Sequence, residues 1–216
     1  MPPAVLCDLD GLLVDTEGLH YEAYKIMLAD YGITLTLDMF VTSWLSGNQY
    51  GTKHYLREAG FTDEKVLSQA RKRKSELFCT LAKDRIEMMP GARAFLEKAK
   101  AEGIGRAVGT GGHQREYEFI ASEVGLNEVI EVFVGGDEVT HNKPAPDIFL
   151  KAAEKLGVAP KNCVVLENSD IGMKAGLNAG MRCMIIPSKY TLKQDFMGAT
   201  ARFESLANVD PRSLFL

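Results

Sequence analysis

The sequence predicts an α/β fold: a parallel sheet covered by helices on both faces, with a block of helices inserted early in the chain. Three observations predict it. Short apolar runs at 4–7, 105–109, 129–134, 163–166 and 183–186 have the length and content of buried strands, and segments of helical period separate the later ones. Strand alternating with helix implies parallel neighbours joined by crossover helices. Residues 16–85 interrupt that alternation with helical spacing and no strand signal, so the expected division is a core of residues 1–15 and 86–216 and an insertion of residues 16–85. Finally, two aspartates stand straight after the first apolar run, where a parallel sheet presents its ligand-binding edge.

The composition is that of an ordinary soluble globular protein. Of 216 residues, 46% are apolar and 25% charged, and the net charge of −4 gives no electrostatic footprint for nucleic acid. Small anionic ligands must then be handled by local basic groups. No apolar stretch approaches a membrane span, and Asp8 and Asp10 interrupt the N-terminus before a signal sequence could form. The four cysteines contain no CxxC pair, and Cys7, Cys163 and Cys183 fall in strand-like runs. A reducing cytoplasm and a monomer are the expectations.

In chain order, Ala4–Cys7 is the first strand. Asp8 and Asp10, at i and i+2 of extended chain, point the same way. Two such carboxylates repel unless a hard cation such as Mg²⁺ lies between them. Gly11 then permits a tight turn. Leu19, Ala23, Ile26 and Met27 form one face of a helix ending near Gly32. A second helix is expected over Gln49–Ala59, stopped by Gly60. A third follows Thr62-Asp63, with Val66, Ala70, Leu77 and Leu81 inward. On it, Arg71-Lys72-Arg73-Lys74 is expected to be a solvated face, with Lys74 the member placed to reach an anionic substrate. Trp44 belongs to the core of the inserted block. Hinges are expected near Asp15-Thr16 and between Asp84 and Pro90.

After the Met88–Gly91 turn, Ala92, Phe95, Leu96 and Ala99 share a helix face. Then come strand Gly105–Gly109, helix Gln114–Val124, strand Val129–Val134 and helix Pro146–Leu156 with Phe149, Ala152, Ala153 and Leu156 inward. Strand Cys163–Leu166, helix Ser169–Ala179 and strand Cys183–Ile186 complete the pattern.

Polar clusters follow these strands. Thr110-Gly111-Gly112-His113 combines a hydroxyl, two glycines and a helix start, a plausible phosphate cradle. In His141-Asn142-Lys143-Pro144-Ala145-Pro146-Asp147 two prolines stiffen the loop around Lys143. Glu167-Asn168-Ser169-Asp170 precedes a helix whose Gly172, Ala175, Gly176 and Ala179 form a small-residue stripe for close approach to the sheet. Asp170 fits the first turn of that helix, where the dipole favours an acid.

Asp8-Leu-Asp10-Gly11-Leu-Leu-Val-Asp15-Thr16 resembles the first motif of the haloacid dehalogenase-type phosphohydrolases, and the later clusters resemble that family's remaining motifs in order. The resemblance extends to the subgroup of β-phosphoglucomutase and CbbY-like phosphatases. It implies a Rossmann-like core carrying a helical cap, and hydrolysis through an aspartyl-phosphate. Asp8 would be the nucleophile, Asp10 the acid and base, Thr110 and Lys143 the partners of the phosphoryl group. Gly11, Gly111 and Gly112 would line the phosphate site, and His20 would meet substrate, with Lys74 placed beside it by its position. Asp8, Asp10, Glu167 and Asn168 would hold Mg²⁺. Asn168 departs from the family, which has a second acid there; an amide oxygen can ligate but brings no charge. Mutases of the subgroup usually carry an Arg in the loop where this chain has Gly47-Asn48-Gln49, and Gln cannot replace its bidentate charge. The tail after Pro187 is similar to sugar-bisphosphatase-like members. The expectation is therefore a Mg²⁺-dependent phosphatase of a small phosphorylated metabolite, a sugar phosphate foremost. The alternatives are a sugar-phosphate mutase and a binding protein that has lost catalysis.

Overall fold

The computed structural model describes residues 3–46 and 51–216. Its centre is a six-stranded, fully parallel sheet. The strands are β1 (Ala4–Cys7), β2 (Gly105–Gly109), β3 (Val132–Val134), β4 (Cys163–Glu167), β5 (Arg182–Ile185) and β6 (Ala201–Arg202), in spatial order β3-β2-β1-β4-β5-β6. The order reverses at β1, which pairs with β2 on one side and β4 on the other. The crevice beyond the carboxyl ends of these strands is the topological switch point where such sheets bind ligands.

Side chains alternate across the sheet and build two cores. Val5, Cys7, Val108, Val164 and Leu166 pack on one face, against α5 (Ala92–Ala101) and α6 (Gln114–Val124). Ala4, Leu6, Ala107, Val165 and Cys183 pack on the other, against α7 (Asp147–Leu156) and α8 (Asp170–Asn178). The four predicted inward residues of α5 are all buried.

Between β1 and β2 lie α1 (Glu17–Ala29), α2 (Leu37–Trp44), α3 (Thr52–Glu58) and α4 (Glu64–Ala82), with a separate core around Met27, Leu28, Phe40, Leu56 and Leu67. The two chain crossings into this block run side by side: Asp15 N donates to Glu87 O at 2.9 Å, and Met89 N to Leu13 O at 2.9 Å. Among the described residues no helix is long and apolar enough to cross a membrane.

Several expectations need correction. Helix α2 had no counterpart in the expected elements; its start is an N-cap by Thr36, which accepts from Met39 N, without the acid three residues on that makes such starts visible. The expected strand from Val129 begins only at Val132. Val129 and Ile130 instead donate to Leu126 O at 3.0 and 2.9 Å, closing a turn of 3₁₀-helix. Helix α3 begins at Thr52, and Gln49, with the rest of residues 47–50, lies outside the described residues. Ile26 is exposed rather than inward. On α4 the buried stripe is Leu67, Ala70, Lys74, Phe78 and Ala82, rotated by about one residue from the expected one.

Candidate active site

The ends of β1, β2 and β4 converge on one cavity of about 1090 Å³ between the sheet and the helical block. Asp8 follows β1, and its N–H continues the ladder to Leu166 O at 2.9 Å. Thr110 follows β2 and donates its N–H to Val134 O. Glu167 is the last residue of β4. Of the residues singled out in the sequence, Asp8, Asp10, His20, Lys74, Thr110, Gly111, Gly112, Lys143 and Asn168 all line the cavity. Gly11 and Glu167 do not line it, but touch residues that do: Gly11 lies against Asn168 and Glu167 bonds Lys143. Gly11 turns the chain with φ of +80°, and a Cβ there would lie 2.4 Å from both Asn168 Nδ2 and Glu17 Cδ.

At one end of the site Lys143 joins two carboxylates. Its ammonium donates to Asp8 Oδ1 at 2.5 Å and to Glu167 Oε1 at 2.6 Å. The other Glu167 oxygen accepts from Asn168 N, Ser169 N and Ser169 Oγ at 2.9, 3.0 and 2.9 Å. Glu167 is fully buried, and α8 touches it: a Cβ at Gly172 would fall 1.7 Å from Glu167 Oε1. The small-residue stripe thus fits the helix against a carboxylate as well as a sheet. Burial pushes the Asp8 carboxyl well up, with Glu167 and Asp10 adding to it against the pull of Lys143. Burial opposes charge on Lys143 too, but Asp8 and Glu167 outweigh it and hold the ammonium protonated.

At the other end Asp10 accepts from Thr16 Oγ1 at 2.5 Å and from His20 Nε2 at 2.9 Å. Lys74 fixes the proton on that imidazole. An ammonium has no acceptor, so its 2.7 Å contact with His20 Nδ1 makes Nδ1 the acceptor and Nε2 the N–H that donates to Asp10. Lys74 also donates to Glu116 Oε1 of α6 at 2.9 Å, a buried ion pair between the helical block and the sheet domain. Phe78 stacks on His20 at 4.0 Å, and Lys74 sits 4.7 Å over the ring of Tyr24. Burial would raise the Asp10 pKa, but His20, Thr16 and the Lys74 charge outweigh it and hold the carboxyl below its usual range. Lys74 is therefore buried, which corrects the expectation of a solvated face; Arg71, Lys72 and Arg73 are exposed as expected.

Asn168 turns its amide nitrogen to the Asp10 carbonyl at 3.2 Å and to Glu17 Oε1 at 3.0 Å. Glu17 is 1% exposed, and burial pushes its pKa up to about 8. Asp170 plays the expected helix role: it opens α8 and pairs with Lys174 at 2.8 Å. Trp44 stacks on Tyr55 in the block's core and also lines the cavity. Glu17 and Glu116 escaped the sequence reading. Glu17 had a signal, since it directly follows the first motif; Glu116 had none.

A family model for haloacid dehalogenase-like hydrolases matches residues 2–180. The chain belongs to that family. Within it, the chain falls in the subgroup of CbbY and β-phosphoglucomutase-like proteins. Protein CbbY of Cereibacter sphaeroides is 31% identical over 97% of this chain and 94% of its own length. Fructose-1-phosphate phosphatase YqaB of Escherichia coli is 32% identical over 82% of this chain and 92% of its own. A crystal structure of a CbbY variant from Rhodobacter sphaeroides in complex with xylulose-1,5-bisphosphate superposes with a TM-score of 0.88 at 28% identity, covering all of both chains.

Proposed function

We propose that this haloacid dehalogenase-like phosphatase hydrolyses phosphorylated sugars with Mg²⁺, using Asp8 as nucleophile and Asp10 as acid and base, beneath a cap formed by residues 16–85. The observation that carries this reading is the pairing at the strand ends: a carboxylate held by Lys143 and, beside it on the same cavity, a second carboxylate held by hydroxyl and imidazole donors.

The residues present fit a magnesium ion. Asp8, the Asp10 carbonyl and the Asn168 amide offer hard oxygens, the donor type Mg²⁺ prefers. Because the Asn168 nitrogen is committed to Asp10 O and Glu17, its oxygen is the end left for a cation. Glu167 backs the set and anchors Lys143. The ion, when bound, supplies positive charge that keeps Asp8 ionised and shields it from the phosphate.

The chain's own groups do the rest. Lys143 and Thr110, with the N–H groups after it, receive the phosphate oxygens as charge builds in the transition state. Asp8 attacks phosphorus in line, the ester P–O bond breaks, and an aspartyl-phosphate forms. Asp10 delivers a proton to the departing alkoxide. The dianionic phosphate arriving beside Asp10 raises its pKa, which favours loading that proton. Asp10 then takes a proton from water, which attacks the acyl-phosphate and releases inorganic phosphate.

The outer wall reads the rest of the substrate. Arg71 and Arg115 line it and make no ion pair among the described residues, so both are available to a second anionic group. A sugar bisphosphate matches that chemistry, and the CbbY relative was crystallised with one. The test is phosphate release from a panel of sugar mono- and bisphosphates, with Mg²⁺ or EDTA. Release is expected to need Mg²⁺, and Arg71→Ala and Arg115→Ala each to raise KM for the bisphosphate about tenfold. Isomerisation without phosphate release would establish the mutase instead.

A further inference from the structure

We propose that Gln194 is a positioning residue that latches the mouth of the cap to the catalytic loop. The proposal rests on the reading of residues 16–85 as a cap over a phosphatase site. Gln194 lies in the core, in the loop after β5, yet its side-chain amide spans both parts of the molecule. Its Nε2 donates to Leu45 O at 2.6 Å, and its Oε1 accepts from Asp170 N at 2.9 Å. A carbonyl can only accept and an amide N–H can only donate, so the two partners fix which end of the amide is which.

Both partners are groups that helices leave unsatisfied. Leu45 follows α2, where the last carbonyls have no intrahelical donor, and Asp170 opens α8, where the first N–H groups have no intrahelical acceptor. One side chain thus satisfies an orphan at the end of a cap helix and another at the start of the helix that follows Asn168. Leu45 and Ser46 line the cavity, and so do Asn168 and Ser169. Gln194 therefore sets the distance between the wall that reads the substrate and the loop that serves the phosphate.

The latch is mounted on a braced turn. Gln194 N donates to Thr191 O at 2.9 Å, and the buried Thr191 hydroxyl accepts from Ser188 N at 2.9 Å. Beside it Lys189 pairs with Asp15 at the hinge, at 3.1 Å. On the α4 side the cap is already fastened by Lys74 and Glu116; Gln194 fastens the α2 side. Opening the cap for substrate must break the bond to Leu45 while the bond to Asp170, which lies within the core, can persist.

That asymmetry gives the test. Gln194→Glu keeps an acceptor for Asp170 N but presents a carboxylate to the Leu45 carbonyl; Gln194→Ala removes both bonds. Hydrogen exchange is followed in both variants without ligand and with Mg²⁺ plus trifluoroberyllate, and kinetics with a sugar bisphosphate and with p-nitrophenyl phosphate, which lacks the groups the cap reads. Both variants are expected to exchange about fivefold faster at residues 41–46, and only Gln194→Ala to do so at Asp170. Both are expected to raise KM for the sugar bisphosphate about fivefold and to leave p-nitrophenyl phosphate within about twofold. A Gln194→Glu protein with wild-type exchange at 41–46, or with equal effects on the two substrates, would overturn the latch and leave Gln194 as a cap of α8 alone. If the wild-type protein turned over neither substrate, the phosphatase reading would fail by itself, and the exchange data would still decide the latch.

Discussion

Replacing Lys74 by Met tests the buried relay that connects the helical block, the sheet domain and Asp10. The Lys74 and Glu116 side chains are only 7% and 8% exposed. Met fills a similar volume but leaves the Glu116 carboxylate buried without its cation, a class of change that costs about 3–5 kcal/mol. In a chain of this length each kcal/mol shifts Tm by about 2–4 °C, so the expected fall is roughly 6–20 °C. Removing both charges, in Lys74→Met with Glu116→Leu, takes away the stranded carboxylate as well. Stability should then return to within about 2 kcal/mol of wild type. Activity should not return with it. His20 Nδ1 has lost its donor and Asp10 the Lys74 charge that helps hold its carboxyl low, so the imidazole is anchored on one side only and the Asp10 carboxyl moves up. A fall in kcat of about 10–100-fold is expected in both proteins. Urea unfolding and steady-state kinetics on the single and double variants separate the effects. A loss below about 1 kcal/mol in Lys74→Met, as for an exposed pair such as Lys53–Glu64, or wild-type kcat in the double variant, would refute the reasoning.

Other outcomes follow from the same contacts. Gly172→Ala places a methyl 1.7 Å from Glu167 Oε1, so either α8 leaves β4 or Glu167 leaves Lys143; a loss of about 3 kcal/mol or more is expected in urea unfolding, together with loss of activity. Glu17 has a folded pKa of about 8 against an ordinary 4.5, so the unfolded chain sheds its proton first and stability drains away as pH rises from about 4.5 through 8. Glu17→Gln removes that term, and its Tm measured without metal should gain on wild type across this window, most at its upper end; parallel Tm–pH curves would contradict the assignment. Asn168→Asp replaces the amide that donates to Asp10 O and Glu17 by a buried carboxylate that cannot donate, so metal-free Tm should drop, and the rise in Tm on adding Mg²⁺ should exceed that of wild type. Equal Mg²⁺ responses would show that residue 168 does not face the cation.

The convergence of Asp8, Asp10, Thr110 and Lys143 on one cavity was legible because each is marked locally in the sequence. Asp8 and Asp10 are two residues apart on the end of a strand, and Thr110, Lys143 and Glu167 each follow or close a recognisable strand or proline-stiffened loop. The parallel sheet was legible for the same reason, since each strand is a short apolar run between helices. What escaped was set by partners distant in sequence. Lys74 looked like one more cation in a basic run, although it falls on the stripe of Leu67, Ala70 and Phe78; its burial is stable only because Glu116, 42 residues away, and His20, 54 residues away, meet it there. Glu116 is one of three acids, with Glu118 and Glu123, on an amphipathic helix, and nothing near it in sequence distinguishes it from a surface residue. Strand β6 is two residues long and exists only because the edge of β5 is there to pair with. Val129 and Ile130 continue the apolar run of β3, but Leu126 offers their N–H groups a nearer carbonyl and the chain turns instead.

The most direct measurement is phosphate release from a sugar bisphosphate, with and without Mg²⁺, by the wild-type protein and by Asp8→Asn, with urea unfolding of both alongside. The account predicts Mg²⁺-dependent release that falls by about 10³-fold or more in Asp8→Asn, in a protein that unfolds like wild type. An Asp8→Asn protein that keeps a tenth or more of the wild-type rate, equally folded, would contradict the assignment of Asp8 as the group that attacks phosphorus.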